Sequence, residues 1–152
     1  MLHKEEVDVS EKISNVIDDL KDQINDPGKL RIVFHQPKSP IYVSADQTRL
    51  YQVIANLLNN AIKFTKEGTI SINVEDKENS QVTVFVEDTG AGINLEIAPR
   101  LFTKFATTSD AGTGLGLYLS KSIVEAHGGK IWAENNPDKA GATFGFTFPK
   151  GQ

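Results

Sequence analysis

The apolar residues of this chain change their period repeatedly, and the runs with strand character come in adjacent pairs. Val9, Ile13, Val16, Ile17, Leu20 and Ile24 recur at helical spacing, with Asp8 and Glu11 set as a capping box and Pro27-Gly28 beyond the end. Two strand-like runs follow, Lys29 to Phe34 and Ile41 to Val43, divided by Pro37 and Pro40. Asp46 stands as the N-cap of a long helix from Gln47 to about Phe64, with Gly68 past its end. Thr69 to Val74 and Gln81 to Val86 alternate on either side of the polar stretch 75–80, which predicts a hairpin. After the irregular stretch 88–113, with a short helical turn near Ile97 to Phe102, a helix is expected over Gly114 to Ala126. Its apolar face would be Leu115, Leu119, Ile123 and Ala126, and Gly128-Gly129 would end it. Lys130 to Glu134 and Thr143 to Phe148 are the last strands. Paired strands exclude a doubly wound parallel sheet, where strands and helices alternate strictly. They predict a two-layer α/β sandwich, with a mixed, mostly antiparallel sheet and helices on one face.

At 152 residues the chain is expected to form one domain. The absence of cysteine excludes disulfides and thiolate metal sites, and fits a reducing compartment. Sixteen basic against twenty acidic side chains argue against nucleic acid as a partner, which needs a basic surface. No apolar run approaches the ~18 residues of a membrane span, and Met1-Leu2-His3-Lys4-Glu5-Glu6 does not open a signal peptide.

Three constellations can carry chemistry. On the long helix, Leu50, Val53, Ile54, Leu57, Ala61 and Phe64 form an apolar stripe, and Leu58 and Ile62 add a second apolar side. Gln52, Asn56, Asn60 and Lys63 run along one line between them. That line is either an ordinary solvated face or a polar slot in which amide oxygens hold Mg²⁺ and the lysine meets phosphate. Asp88-Thr89-Gly90-Ala91-Gly92 directly follows a strand; it is either a simple turn or a close backbone approach with an acceptor for an exocyclic amine. Gly112-Thr113-Gly114-Leu115-Gly116-Leu117 opens a helix, and reads as a hinge or as an anion cradle of bare amides. It is neither a Walker A nor a Rossmann pattern.

In this order and spacing the segments resemble the boxes of sensor histidine kinases. Residues Asn56 to Thr65 are similar to the N-box, Asp88 to Ile93 to the G1 box, Leu101-Phe102-Thr103-Lys104-Phe105 to the F-box, and Gly112 to Leu117 to the G2 box. Ile123 to Gly129 and Gly141 to Phe144 are similar to the closing segments. The resemblance implies an ATP-binding sandwich of the Bergerat (GHKL) type with a lid between the F-box and the G2 box. It implies Asn60 as a magnesium ligand assisted by Asn56, Lys63 on phosphate, Asp88 on the adenine amine, and Gly90 and Gly92 beside the base. Thr143 would support Asp88 through water. Phe102 and Phe105 would anchor the lid, Lys104 would reach the γ-phosphate, and Gly112, Gly114 and Gly116 would serve the phosphates. Phe64, Ile93, Thr113, Leu115 and Leu117 would also contact nucleotide.

The implied activity is donation of the γ-phosphoryl group of Mg-ATP to a histidine on a separate dimerisation domain of the same parent kinase. A response regulator receiver domain would follow, with no nucleic acid or membrane contact by this domain, a cytoplasmic location and a monomeric state. Two departures sharpen this. The family's acceptor histidine is followed by an acidic residue and a nearby proline; none of His3, His35 and His127 stands in such a setting, so the chain is expected to be a catalytic fragment, with residues 1–7 as a remnant of linker from the absent dimerisation and phosphoacceptor domain. Hydrolytic members of the superfamily carry a glutamate where this chain has Asn56, an amide that cannot act as a base. A stand-alone ATPase, a serine kinase of the anti-sigma type, and a non-catalytic interaction module are the competing expectations.

Overall fold

The computed structural model describes residues 2–24, 28–76, 80–103 and 116–151. The elements are β1 (Lys4–Asp8), α1 (Val9–Leu20), β2 (Leu30–His35), β3 (Tyr42–Asp46), α2 (Gln47–Phe64), β4 (Gly68–Asp76), β5 (Gln81–Asp88), α3 (Gly116–Ala126), β6 (Ile131–Asn135) and β7 (Ala142–Pro149). Strands β2-β4-β5-β7-β6 form one sheet in that order. The pair β2 and β4 is parallel and the other neighbours are antiparallel. This is the mixed, mostly antiparallel sheet that the paired strands imply. β1 and β3 make a separate antiparallel ladder, joined to the end of β7 by a bridge between Val43 and Lys150.

Strict alternation in β5 turns Val82, Val84 and Val86 inward and Gln81, Thr83, Phe85 and Glu87 outward. Phe144, Phe146 and Phe148 of β7 and Ile70 and Ile72 of β4 share the inner face, and the helices close over it. In α2 Leu50, Val53, Ile54, Leu57 and Ala61 are buried together with Leu58, whereas Ile62 is half-buried and Phe64, at the end of the expected stripe, is exposed. Each buried large aliphatic side chain contributes about 1.5–3 kcal/mol of burial, so the helix is held by packing against α1, α3 and β5. The expected cap is present: Asp46 accepts from Arg49 N at 3.2 Å. Asp8 caps α1 in the same way, accepting from Ser10 N and Glu11 N.

Two expectations change and a third narrows. The first helix stops at Leu20 and passes through a 3₁₀ turn over Lys21–Gln23, which leaves Ile24 extended. Leu20 is its last buried residue, and the acidic Asp18, Asp19 and Asp22 oppose the dipole at a C-terminus. The short helical turn expected near 97–102 is present as a single 3₁₀ turn, Ala98–Arg100, entered from Ile97 without a side-chain cap, and just before it Asn94 Oδ1 accepts from Glu96 N at 2.8 Å. The buried face of α3 is Ser120, Ile123 and Val124, whereas Leu119 is 40% exposed and Ala126 is exposed. Ser120 can turn inward because its hydroxyl finds a partner on α2.

His127, just past α3, is buried. Its Nε2 accepts from Asp46 N at 3.1 Å, so the ring proton is on Nδ1, which donates to Ile123 O at 2.8 Å. The histidine therefore ties the end of α3 to the start of α2, a structural task.

Candidate functional site

The last residue of β5, Asp88, is only 4% exposed. Burial pushes its carboxyl above the usual range. The amides of Gly90 and Ala142 pull the other way, and Glu87 adds to the rise. Oδ1 accepts from Gly90 N at 2.9 Å and from Ala142 N at 3.2 Å. Oδ2 has no hydrogen-bond partner among the described residues, which leaves one acceptor for a donor from outside.

The backbone is drawn tightly round this residue. A Cβ on Gly90 would lie 2.2 Å from Phe64 O, so only glycine lets the chain cross the end of α2. On the other side Gly141 takes a φ of +98°, and a Cβ there would lie 1.9 Å from Asp88 O. Beyond Gly92, Ile93 is held by Asn135, whose Oδ1 accepts from Ile93 N at 2.7 Å. Thr143 is linked to the backbone of Asp88 through the side chain of Asn136. Its hydroxyl donates to Asn136 Oδ1 at 2.7 Å, and Asn136 Nδ2 donates to Asp88 O at 2.9 Å.

The polar line on α2 divides. Gln52 accepts from Arg49 Nη1 at 3.0 Å and belongs to the solvated surface. Asn56 turns to α3, its Nδ2 donating to Gly116 O and to Ser120 Oγ, each at 3.2 Å. Both amide hydrogens are then spent, and Oδ1 is the atom left to bind. Asn60, one turn on, is half-buried, and its side chain has no hydrogen-bond partner among the described residues. Lys63 and Phe64 are exposed at the end of the helix.

Among the described residues no group of three His, Asp or Glu side chains is placed to hold a metal ion. A cation here would rest on amide oxygens. Asn56 and Asn60 fit Mg²⁺, which takes few protein ligands and leaves its other positions to phosphate and water.

Gly116 opens α3, and half-buried Leu117 packs against the core. Phe102 stands edge-on to Phe144, ring centroids 6.4 Å apart, and so anchors the chain just before the expected lid. Lys104, Phe105, Gly112, Thr113, Gly114 and Leu115 lie outside the described residues. Asn136 and Ser120 are the members of the site that sequence reasoning passed over. Asn136 sits in Asn135-Asn136-Pro137, which reads as an ordinary turn, and Ser120 is one of two serines in its helix, with nothing in the sequence to set it apart from Ser122.

Residues 45–152 match the family of histidine kinase-, DNA gyrase B-, and HSP90-like ATPases. The sensor protein FixL of Bradyrhizobium diazoefficiens is 41% identical over 110 residues, which is 70% of this chain and 22% of FixL. The chain thus spans about a fifth of that relative's length. The catalytic domain of histidine kinase ThkA superposes with a TM-score of 0.84 at 36% identity, over 98% of this chain and 97% of that one. ThkA in complex with the response regulator TrrA gives 0.80 at 35% identity, over 97% of this chain and 42% of that one. Full-length ShkA in complex with AMPPNP gives 0.84 at 27% identity, over 100% of this chain and 32% of that one.

Proposed function

The chain belongs to the histidine kinase-, DNA gyrase B-, and HSP90-like ATPase family, and on that premise we propose that it binds Mg-ATP and donates the γ-phosphoryl group to a histidine on a separate dimerisation domain of its parent kinase. The observation that carries this reading is Asp88, a buried carboxylate with one oxygen engaged by backbone and the other unengaged. An exocyclic amine such as that of adenine is the donor it lacks.

The remaining roles are those that the resemblance implies. Asn60, with Asn56, would hold the magnesium ion, which when bound neutralises charge on the phosphates. Lys63 would meet a phosphate at the open end of α2. Lys104 and residues 112–117 would close on the nucleotide. The domain's contribution is positioning and charge stabilisation. The acceptor is a neutral imidazole, already a nucleophile, which forms its bond to phosphorus as the bond to ADP breaks. The phosphoryl group would pass next to a response regulator, a reading supported by the complex of ThkA with TrrA. Among the described residues no helix is long and apolar enough to cross a membrane.

Calorimetry of the chain with ATP, with and without Mg²⁺ and with GTP as control, tests the binding half. Adenine-selective binding that responds to Mg²⁺ is expected, and a folded sample that binds no adenine nucleotide would overturn the reading. The transfer half is tested with γ-labelled ATP and the parent's dimerisation domain supplied in trans. Label should appear on that domain and not on this chain. ATP turnover by the chain alone should be negligible, because Asn56 offers no basic atom to the attacking water. Robust turnover would restore the stand-alone ATPase.

Two further outcomes are expected. Asn60→Asp keeps an oxygen ligand but adds a negative charge beside the phosphates, so transfer should fall about a hundredfold while nucleotide affinity changes only a few-fold. Normal transfer would remove Asn60 from the metal site. The second concerns pH. With the folded pKa of Asp88 above its unfolded value, the native state holds the proton more tightly. Ionisation of this group therefore costs stability as pH rises through that window, and protonation on acidification does not weaken the fold. It does remove the acceptor. The preference for ATP over purine riboside triphosphate, which lacks the amine, should fade on acidification already above the ordinary aspartate range. Because both nucleotides carry the same phosphates, the titration of the phosphates cancels. A preference that persists to the ordinary range would remove Asp88 from the base.

A further inference from the structure

We propose that Asn136 is the positioning residue that aims Asp88 at the exocyclic amine of the base, and so sets the preference for adenine. This rests on the reading of Asp88 as the adenine acceptor.

Asn136 is 8% exposed, and its carboxamide is fully engaged. Nδ2 donates to Asp88 O at 2.9 Å and to Ala140 O at 3.0 Å, and Oδ1 accepts from Thr143 Oγ1 at 2.7 Å. Its own amide donates to Gly141 O at 2.9 Å. One side chain thus joins the end of β5, the loop between β6 and β7, and the start of β7. An unpaired amide or carbonyl left here would carry its full desolvation cost, so the arrangement is held as a unit.

The consequence falls on Asp88. Its backbone carbonyl is fixed by Asn136, and its Oδ1 by two amides, Gly90 N before the loop and Ala142 N after it. The loop that leads into Ala142, the first residue of β7, is closed by Asn136 and tied at the surface by Lys139, whose Nζ lies 3.1 Å from a Glu87 carboxylate oxygen. With carbonyl and Oδ1 both pinned, Oδ2 has one direction left. Loss of Asn136 frees the carbonyl, the loop and Ala142 N together, and the carboxylate loses its aim while the phosphate end of the site, on α2 and α3, keeps its own contacts.

The test uses the whole chain and two nucleotides, ATP and purine riboside triphosphate. Dissociation constants are measured by calorimetry for the unmodified protein, for Asn136→Ala and for the near-isosteric Asn136→Asp, which keeps the acceptor for Thr143 and removes the donor to Asp88 O. Thermal melting identifies the folded samples. The unmodified chain should prefer ATP by roughly tenfold or more, the effect of one hydrogen bond to a charged acceptor. Both variants should lose most of that preference, while affinity for the amine-free nucleotide stays within about threefold. Equal weakening of both nucleotides would make Asn136 a purely structural residue and overturn the proposal, as would an undiminished preference in either folded variant. An unmodified chain with no preference would instead defeat the assignment of Asp88 itself, and the role of Asn136 with it.

Discussion

Replacing Asp88 by asparagine should weaken ATP binding about a hundredfold and leave the fold intact. In the Asp88→Asn variant the new amide oxygen keeps both bonds that Oδ1 makes now, to Gly90 N and Ala142 N. The nitrogen then occupies the position of Oδ2. An acceptor becomes a donor at the point where an amine has to be met, so one charge-assisted bond of about 1.5–3 kcal/mol is lost and two donors are opposed. Stability should hold or rise slightly at neutral pH, because the substitution removes a charge that burial disfavours. Calorimetry for affinity and thermal melting for the fold separate the two effects. Unchanged affinity would place the base elsewhere, and a collapsed fold would make Asp88 a structural residue.

Gly141→Ala should be the most damaging single methyl in the site. The glycine has a φ of +98°, where an L side chain costs about 1–2 kcal/mol. The added carbon would also lie 1.9 Å from Asp88 O and 2.8 Å from Thr89 Cα. Both neighbours are backbone and cannot swing away as a side chain would. The chain must move at β5, at the loop, or at both. A loss of about 3 kcal/mol is expected, a fall in Tm of roughly 10 °C for a domain of this size, together with loss of ATP binding in whatever remains folded. A variant that melts and binds like the original would mean that the contact between this loop and Asp88 is slack in solution.

The parts of the fold legible in the sequence were those with many residues facing the core. α2 shows its cap, its length and both apolar sides, because eighteen residues repeat the signal. The hairpin of β4 and β5 shows through alternation. β1 did not show: in Lys4-Glu5-Glu6-Val7-Asp8 only Val7 is buried, so no period can be read, and the strand exists because β3 pairs with it. For the same reason β3 runs on to Asp46 beyond its apolar part. The candidate site divides in the same way. Asp88, Gly90, Asn56 and Asn60 stand in patterned segments. Asn136 and Ser120 act through contacts with residues distant in sequence, 48 positions away for Asn136 to Asp88 and 64 for Asn56 to Ser120, and no local pattern announces such a pair.

The parallel pairing of β2 with β4 sets the rate and the unit of unfolding for the site. Everything between those strands, residues 36–67, is the crossover that joins them, and α2 lies inside it. The crossover is sealed where it returns, Gly68 N donating to Lys29 O at 2.8 Å beside the register pair Leu30 and Gly68. A helix in that position cannot fray by itself, because both of its ends run into strands. Amide protons near Leu57 and Leu58 should therefore exchange with deuterium only through global opening, as slowly as those of β5. Refolding must likewise wait for a non-local parallel contact to close, so nucleotide binding should recover in step with the sheet and not before it.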